Sequence, residues 1–491
     1  MSESIAEMVI PGTYIEVRAE GLIAVGAIST GTIGIVGTAA RGPVETAVPI
    51  GSFTEATDIF GQPDAFASPR VTDAALTLTR ALEQAYAGGA RNVVAVRIAN
   101  GSRTAATLAV SAVGANQPAF TLTARGTTDE SGAEIAGSSG TWGQNVDVEV
   151  VADSTTSPPT WRMTIAYGQR REIYEGANVG EIHGKLAGST LVQAGAVQNP
   201  GLGFTPLHAP LTGGTDGANV SAADVLRGLT VLESQPVNIL LVAGLGANVV
   251  GTTVLGHLDR TEAEGRERIA ILGARASGTA TSATGVEADA AGTSDDRIVL
   301  VAPGLVTVDA PTGVTGASGA TGVNVSLPPP YLAAVVAGKL STLAPQVSLT
   351  NKVLPVVPDV RYSTALTQNL LQSRVLLVRQ KFGAQVVKGI TSAQPPFTQI
   401  SIRRIVDYAK AGVRLGSDPY IGRLNNNRVR KALQATLDGF LSQMVLDEML
   451  VGYQLEVSAS RAQERAGICS VVMTLLPTFS IDYIRVTMNL E

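Results

Sequence analysis

The sequence predicts a multidomain α/β protein, α+β overall, with an α/β core, a β-rich insertion, a C-terminal α+β domain and strand-like arms at both termini. Three observations predict it. Short β-branched runs, Thr32 to Thr38 and Asn92 to Ile98, flank a helical pattern from Asp73 to Ala87, which is the signature of a βαβ unit. That rhythm stops near Gly101 and resumes after Gly217, with Thr-, Ser-, Gly- and Val-rich sequence between. Finally, both ends of the chain alternate apolar and polar residues. At 491 residues the chain exceeds what one core organises, so two to four domains are expected.

Taken in order, residues 1–28 form an N-terminal arm, in which Tyr14-Ile15-Glu16-Val17-Arg18 follows Pro11-Gly12 and reads as an extended strand. Residues 29–100 form the first part of the α/β middle domain, its helix stopped by Gly88-Gly89. Residues 101–217 are the insertion. Val146 to Val150 and Trp161 to Ile165 alternate as strands, and the turn-rich Asp129 to Gly132 and Asp153 to Pro159 place this region on the outside. Gly213-Gly214-Thr215-Asp216-Gly217 closes it.

Residues 218–345 continue the middle domain, with a helix from Ala222 to Leu232, a strand from Val237 to Val242 and a helix from Val254 to Arg266. Strands at 268–272 and 297–301 and a helix from Pro330 to Leu343 follow, so both α/β parts are expected to share one sheet. Residues 346–491 form the last domain, with a helix from Ser401 to Ala411 and a long one from Asn425 to Val451. Val429, Leu433, Leu437, Phe440, Leu441, Met444 and Val445 share one face of the long helix. Strands at 454–460 and 468–475 lead to the terminal one, in which Ile484, Val486, Met488 and Leu490 alternate with polar residues.

A terminal strand pairs either within its own domain or with another chain, whose sheet edge offers unpaired N–H and C=O groups. Sequence leaves both readings open. In the second, Tyr14, Ile15, Glu16 and Val17 at one end and Ile484, Val486, Met488 and Leu490 at the other are the inter-subunit strands.

Aromatic residues make up only 4% of the chain and Gly counts 53, which suits thin, closely packed β-rich subunits better than an aromatic-lined pocket. Cys469 stands alone, so no intrachain disulfide forms, and its apolar neighbours predict a buried small hydrophobe. The acidic N-terminal residues exclude a signal peptide, and no uncharged apolar run reaches the ~20 residues of a membrane helix. The expectation is assembly in a cytoplasm without membrane insertion. Residues 346–491 carry 17 basic and 10 acidic side chains against 19 and 31 in the rest, charges of +7 and −12. Because the basic residues are scattered and the whole chain is acidic, an acidic protein partner fits better than nucleic acid, and a plain solvated face fits as well.

Chemistry finds little footing. Gly338-Lys339-Leu340-Ser341 lacks the spacing of a phosphate loop. Gly244, Gly246 and Gly251 fit a tight strand-to-helix turn better than a dinucleotide site. His183, His208 and His257 stand far apart, without metal-ligand spacing. Asp295-Asp296 and Glu262-Ala263-Glu264 have the form of exposed acidic pairs. No catalytic, cofactor-binding or metal-binding residue is expected, and the chain is read as no enzyme.

Assembled in order, these pieces resemble the contractile tail sheath protein family of bacteriophages, R-type pyocins and related injection machines. Pro11-Gly12-Thr13-Tyr14-Ile15-Glu16 is similar to the family's opening motif, and Gly34-Ile35-Val36-Gly37-Thr38-Ala39-Ala40-Arg41-Gly42-Pro43 follows it. Leu211 to Gly217 resembles the segment before the returning α/β block. Ile402-Arg403-Arg404-Ile405-Val406-Asp407-Tyr408 and Leu424-Asn425-Asn426-Asn427 match the C-terminal domain.

The resemblance implies a subunit of hexameric rings stacked helically around an inner tail tube, with baseplate and tail terminator proteins as further partners. It places the C-terminal domain inward and the insertion outward, with terminal arms shared between neighbours as strands. Contraction would drive the tube through a target cell envelope. The particle is a virion tail, or an extracellular injection particle, assembled in the bacterial host cytoplasm. Arg428, Arg430 and Lys431, near the start of the long helix, are candidates to face the tube; a solvated helix face is their other reading. Another function class stays open: an α/β binding or transport module that does not polymerise.

Overall fold

A computed structural model of the chain describes residues 28–63, 76–114, 117–126, 139–153, 160–168, 170–216, 219–275, 283–309, 323–394 and 397–489. Tyr14, Ile15, Glu16, Val17 and Leu490 lie outside these described residues. The chain divides into two compact units, a larger one of Thr30–Ile400 with 482–489 and a smaller one of Ser401–Ile481 with 28–29.

The larger unit opens with β1 (Ile33–Gly37), β2 (Ala47–Ile50), α1 (Phe53–Phe60), α2 (Leu78–Ala87) and β3 (Val93–Arg97). The insertion follows as β4 (Thr107–Ser111), β5 (Pro118–Ala124), β6 (Asp147–Asp153), β7 (Thr160–Tyr167), β8 (Arg170–Gly176), α3 (Val179–Lys185), β9 (Val192–Ala194) and β10 (Leu207–Pro210). The α/β pattern then returns with α4 (Ala222–Glu233), β11 (Ile239–Val242), α5 (Ala247–Ala263), β12 (Ile269–Gly273), α6 (Ala283–Gly292) and β13 (Ile298–Ala302). The hairpin β14 (Leu305–Asp309) and β15 (Val323–Leu327), α7 (Pro329–Ser341), β16 (Val353–Leu354), β17 (Val357–Pro358), α8 (Thr364–Gln372), β18 (Val375–Lys381) and β19 (Gly383–Val386) complete it.

One nine-stranded sheet, ordered β16-β19-β18-β13-β12-β11-β1-β3-β2, collects strands from before and after the insertion. Its six inner strands, β18 to β3, run parallel. Such strands are covered on both faces and read as continuous apolar runs. Successive residues feed opposite cores: Ile239 and Leu241 point into one, Leu240 and Val242 into the other. The first core also receives α2 and α7, and the second α4 and α5.

α7 is buried nearly all round, only Lys339 and Ser341 escaping. It lies so close to α2 that a Cβ on Gly338 would stand on the carbonyl oxygen of Ala85. Glycine is required there by backbone contact.

The sequence reading opens its last domain at 346, yet β16, β18 and β19 complete the sheet of the larger unit. The four residues Val375 to Val378 are a buried run, and β18 pairs parallel with β13, which draws this segment into the core. α5 begins at Ala247 rather than Val254, because Gly244 (φ 72°) makes the turn and Gly246 is the extended residue before the helix.

The insertion holds two small sheets, β10-β6-β7-β8 and β4-β5-β9, around a separate core that contains Trp142, Trp161, Phe120 and Phe204. Two arginines fasten it to the α/β sheet. Arg41 lies between the rings of Trp142 and Tyr167, 5.1 Å from each centroid. Arg97, fully buried, donates to the carbonyls of Gly42 and Ser139 and pairs with Asp216 at 3.4 Å. Burial lowers its pKa to about 10 while Asp216 pulls it back up, so the cation persists at neutral pH. Asp216 also accepts from Thr141 Oγ1, which gives the Gly-Gly-Thr-Asp-Gly segment a physical role at the junction.

The smaller unit consists of α9 (Ile400–Ser417), α10 (Asn427–Leu446), β20 (Leu450–Ser458), α11 (Arg461–Arg465) and β21 (Ser470–Pro477), α9 beginning one residue before the unit does. Asn426 caps α10 by accepting from the Val429 amide. The ring of Phe440 rests on Gly412 of α9, where a Cβ would overlap it, and stacks on Tyr408 at 5.8 Å. On the other side of α10, Tyr453, Leu455, Val457, Val471 and Leu475 of the β20–β21 hairpin pack on Leu433, Leu437, Leu441 and Met444.

Candidate functional site

Any function of assembly must be carried by surfaces that the subunit leaves unfinished. β20 and β21 pair only with each other among the described residues, so both outer edges of this hairpin present unpaired backbone groups. A bulge separates Leu450 from Gly452, and beyond it the register runs regularly from Tyr453 opposite Leu475 to Ser458 opposite Ser470. This alternation sends Tyr453, Leu455 and Val457 inward and leaves Val472 and Leu476, more than half exposed, on the outer face.

The second unfinished surface is the chain end. Ile484, Val486 and Met488 are 82%, 73% and 86% exposed, and residues 478–489 join no strand. The sequence reading expects a strand with one buried face; among the described residues no strand pairs with this segment, and neither face of it is buried. Its apolar period of two is intact and uncovered. The period also shifts phase, since Phe479, Ile481 and Tyr483 fall on odd positions and Ile484, Val486 and Met488 on even ones.

The basic candidates separate. Arg430 pairs with Glu464 at 2.9 Å and donates to Asn425 Oδ1, with only 14% of its side chain exposed. Arg461 reaches the same carboxylate at 2.8 Å, and Arg461 first, then Arg430, holds Glu464 below the ordinary carboxylate range. Arg430 therefore secures the hairpin turn against the start of α10, whereas Arg428 and Lys431 are exposed. Beside them lies a cleft of about 340 Å³, lined among others by Tyr420, Leu424, Val429, Leu433, Cys469 and Val471. Cys469 is exposed at this cleft, not buried as its neighbours predict, because it sits in the turn just before β21. The sequence reading missed the hairpin as an acceptor; the signal was the alternation of Val472, Thr474 and Leu476 opposite an inner apolar row.

The acidic and histidine side chains weighed in the sequence take part in the fold. Glu262 holds Arg297 through two contacts of 2.7 and 2.9 Å. His257 is buried, and Arg268 donates to its Nε2 at 3.0 Å. Burial, then the Arg268 and Arg260 charges, push its pKa down to about 3. No cluster able to hold a metal ion occurs among the described residues, and no helix among them is long and apolar enough to cross a membrane.

Residues 392–491 match the family described as the phage tail sheath C-terminal domain. No curated protein matches the sequence. Among solved structures, the sheath tail protein of Desulfitobacterium hafniense aligns over 95% of this chain and 100% of its own, with a TM-score of 0.65 at 15% identity. The sheath tail protein of Listeria innocua aligns over 92% and 96%, with 0.61 at 15%. The contracted sheath of an extracellular contractile injection system, PVC, aligns over 99% and 98%, with 0.57 at 12%. These are structural proteins rather than enzymes, and at such identities the likeness is one of fold. The chain thus has the fold of the contractile tail sheath proteins, and its residues 392–491 match the phage tail sheath C-terminal domain.

Proposed function

We propose that this chain is the structural subunit of a contractile sheath that polymerises as stacked hexameric rings around an inner tube, and that neighbours are joined by exchanged terminal strands. The observation that carries the reading is the pairing of needs within one chain: among the described residues, a hairpin whose two outer edges have no strand partner and a terminal segment of exposed apolar side chains. A strand added at a hairpin edge gains backbone hydrogen bonds, and its alternate side chains set the register. Burying Ile484, Val486 and Met488 contributes roughly 1.5–3 kcal/mol each before ordering costs. Tyr14, Ile15, Glu16 and Val17 supply the second arm in this reading, and Leu490 closes the first.

The five segments 1–28, 29–100, 101–217, 218–345 and 346–491 then act as arm, middle domain, outward insertion, middle domain and tube-facing domain. Arg428 and Lys431 are the exposed members of the proposed tube contact, with Arg430 fixed behind them. Contraction is a passage from a kinetically trapped extended polymer to one burying more surface, released by a baseplate, with the exchanged strands as tethers.

Negative-stain microscopy of the purified chain, alone and with its tube protein, tests the reading. Long hollow ribbed cylinders are expected. Removal of residues 484–491 should leave a folded subunit, judged by circular dichroism, that forms none. Normal cylinders from the truncated chain would defeat strand exchange, and uniform small particles from the full chain would favour a binding or transport module.

A further inference from the structure

The larger unit holds the root of the C-terminal segment at a single carboxylate. Asp482, with 10% of its side chain exposed, accepts from Thr350 Oγ1 at 3.2 Å and from Gln399 Nε2 at 3.1 Å, and pairs with Lys388 Nζ at 3.5 Å. The three donors come from separate segments: the loop before β16, the residues after β19 and the residue preceding α9. Each is itself held. Thr350 Oγ1 accepts from the Gly389 amide, so its one proton is committed to Asp482. Lys388 Nζ also donates to Tyr483 Oη at 3.2 Å, which seats the next residue of the segment.

The place of this carboxylate matters more than its strength. The chain passes from the larger to the smaller unit after Ile400 and returns after Ile481. Gln399 and Asp482 stand at these two crossings and bond each other, so one contact stitches the departing and returning segments together on the larger unit. Two residues later the exposed apolar row begins with Ile484, just where the apolar period shifts phase. A fixed residue at the phase shift separates the parts of the segment on either side of it and gives the distal part a defined origin.

We propose that Asp482 is a positioning residue for the exchanged strand: its clasp on Thr350, Lys388 and Gln399 fixes where the C-terminal arm leaves the subunit and thereby limits the space its tip can search. The inference rests on the strand-exchange reading above. A tether rooted at a defined point raises the effective concentration of its tip at the neighbour's edge, whereas a loosened root spreads the tip over a larger volume. Asp482→Ala removes all three contacts, Lys388→Met only the ion pair and the Tyr483 contact, and neither touches the side chains placed in the strand.

The test is made on the full-length chain kept unpolymerised. A nitroxide is attached at Ile484→Cys in a Cys469→Ser background, and release of Val486 to Glu491 by trypsin after Arg485 is followed in parallel on the unlabelled chain. Asp482→Ala should narrow the spin-label spectrum and speed the cleavage several-fold, Lys388→Met less so, with circular dichroism unchanged. Unlabelled Asp482→Ala should assemble several-fold more slowly. If label mobility and cleavage do not change in either variant, there is no clasp. If the arm is freed and assembly keeps its rate, the positioning role is wrong. These outcomes are distinct from failure of strand exchange itself, which is read by truncating 484–491 and leaves the lone-subunit measurements untouched.

Discussion

The two compact units differ in how they treat groups that cost free energy when left unfinished. Leaving aside Phe382 and its terminal residues 483–489, which are exposed, the larger one buries its difficult groups and answers them internally: Arg97, Arg268 and Arg297 are almost fully buried, and each donates to backbone carbonyls or to a partner carboxylate or imidazole within the unit. The smaller one also buries Arg403 against Asp407, but it leaves its hairpin edges without a strand partner among the described residues and Val451, Val472, Leu476, Ile421 and Leu424 all more than half exposed. The large exposed apolar side chains of the insertion are fewer and singly placed, which is the ordinary condition of a protein surface. In the proposed sheath the core of the larger unit is the body, and the smaller unit, with the terminal segment, is the connector.

The largest effect that would break this comparison lies in the larger unit. Gly338→Val puts side-chain atoms into the backbone of α2, where neither buried helix has solvent to retreat into. The expected loss is about 3 kcal/mol or more, measured by urea unfolding. A loss near zero would mean that α7 and α2 separate easily and that the body is less finished than its burial indicates.

Acid gives the next largest effect, through His257. Its folded pKa, about 3, lies below the ordinary 6.5, so the native state binds fewer protons than the unfolded one. Stability from this group is complete above pH 6.5 and falls as the pH drops from there toward 3. Between pH 7 and pH 4 the loss is about 3 kcal/mol. His257→Asn should remove that part of the acid slope, whatever it costs at pH 7. An unchanged slope, measured by denaturant unfolding at the two pH values, would show that the imidazole is open to water.

Much of this contrast was legible in the sequence. Continuous apolar runs gave β1, β3, β11, β12 and β13, because a parallel strand covered on both faces has no reason to alternate. The face of α10 could be read from its period. The smaller elements were not legible. α6 has an alanine- and glycine-rich sequence without amphipathic contrast, and β16 and β17 are two residues each, which only their sheet neighbours define. At the site, the terminal row Ile484, Val486 and Met488 showed in the sequence as alternation, but only the structure shows it uncovered. The acceptor hairpin and the Asp482 clasp depend on residues far apart in the chain, Gln399 and Asp482 among them, and no local pattern carries that information. Cys469 misled because a hydrophobic neighbourhood in sequence is no guarantee of burial at a turn.

The smallest effect on the lone subunit is the sharpest test of the connector. Val472→Thr with Leu476→Thr changes two side chains on the outer face of β21, opposite Glu456 and Gly452, without touching the inner row on α10. Since these groups meet water in the subunit, its unfolding free energy should move by no more than about 0.5 kcal/mol. Threonine keeps the β-branched shape of Val472 and puts a β-branched residue, favoured in strands, in place of Leu476, so the hairpin itself should persist. Assembly is where the change should register, as a higher critical concentration in sedimentation, if the proposed polymer covers these side chains. A subunit weakened by more than 1 kcal/mol on the scale of a single core truncation would place Val472 and Leu476 in its own core and return the smaller unit to the same class as the larger. Unchanged polymerisation with unchanged stability would confine the connecting surface to the hairpin edges, where side chains matter less than the backbone that accepts the neighbour's strand.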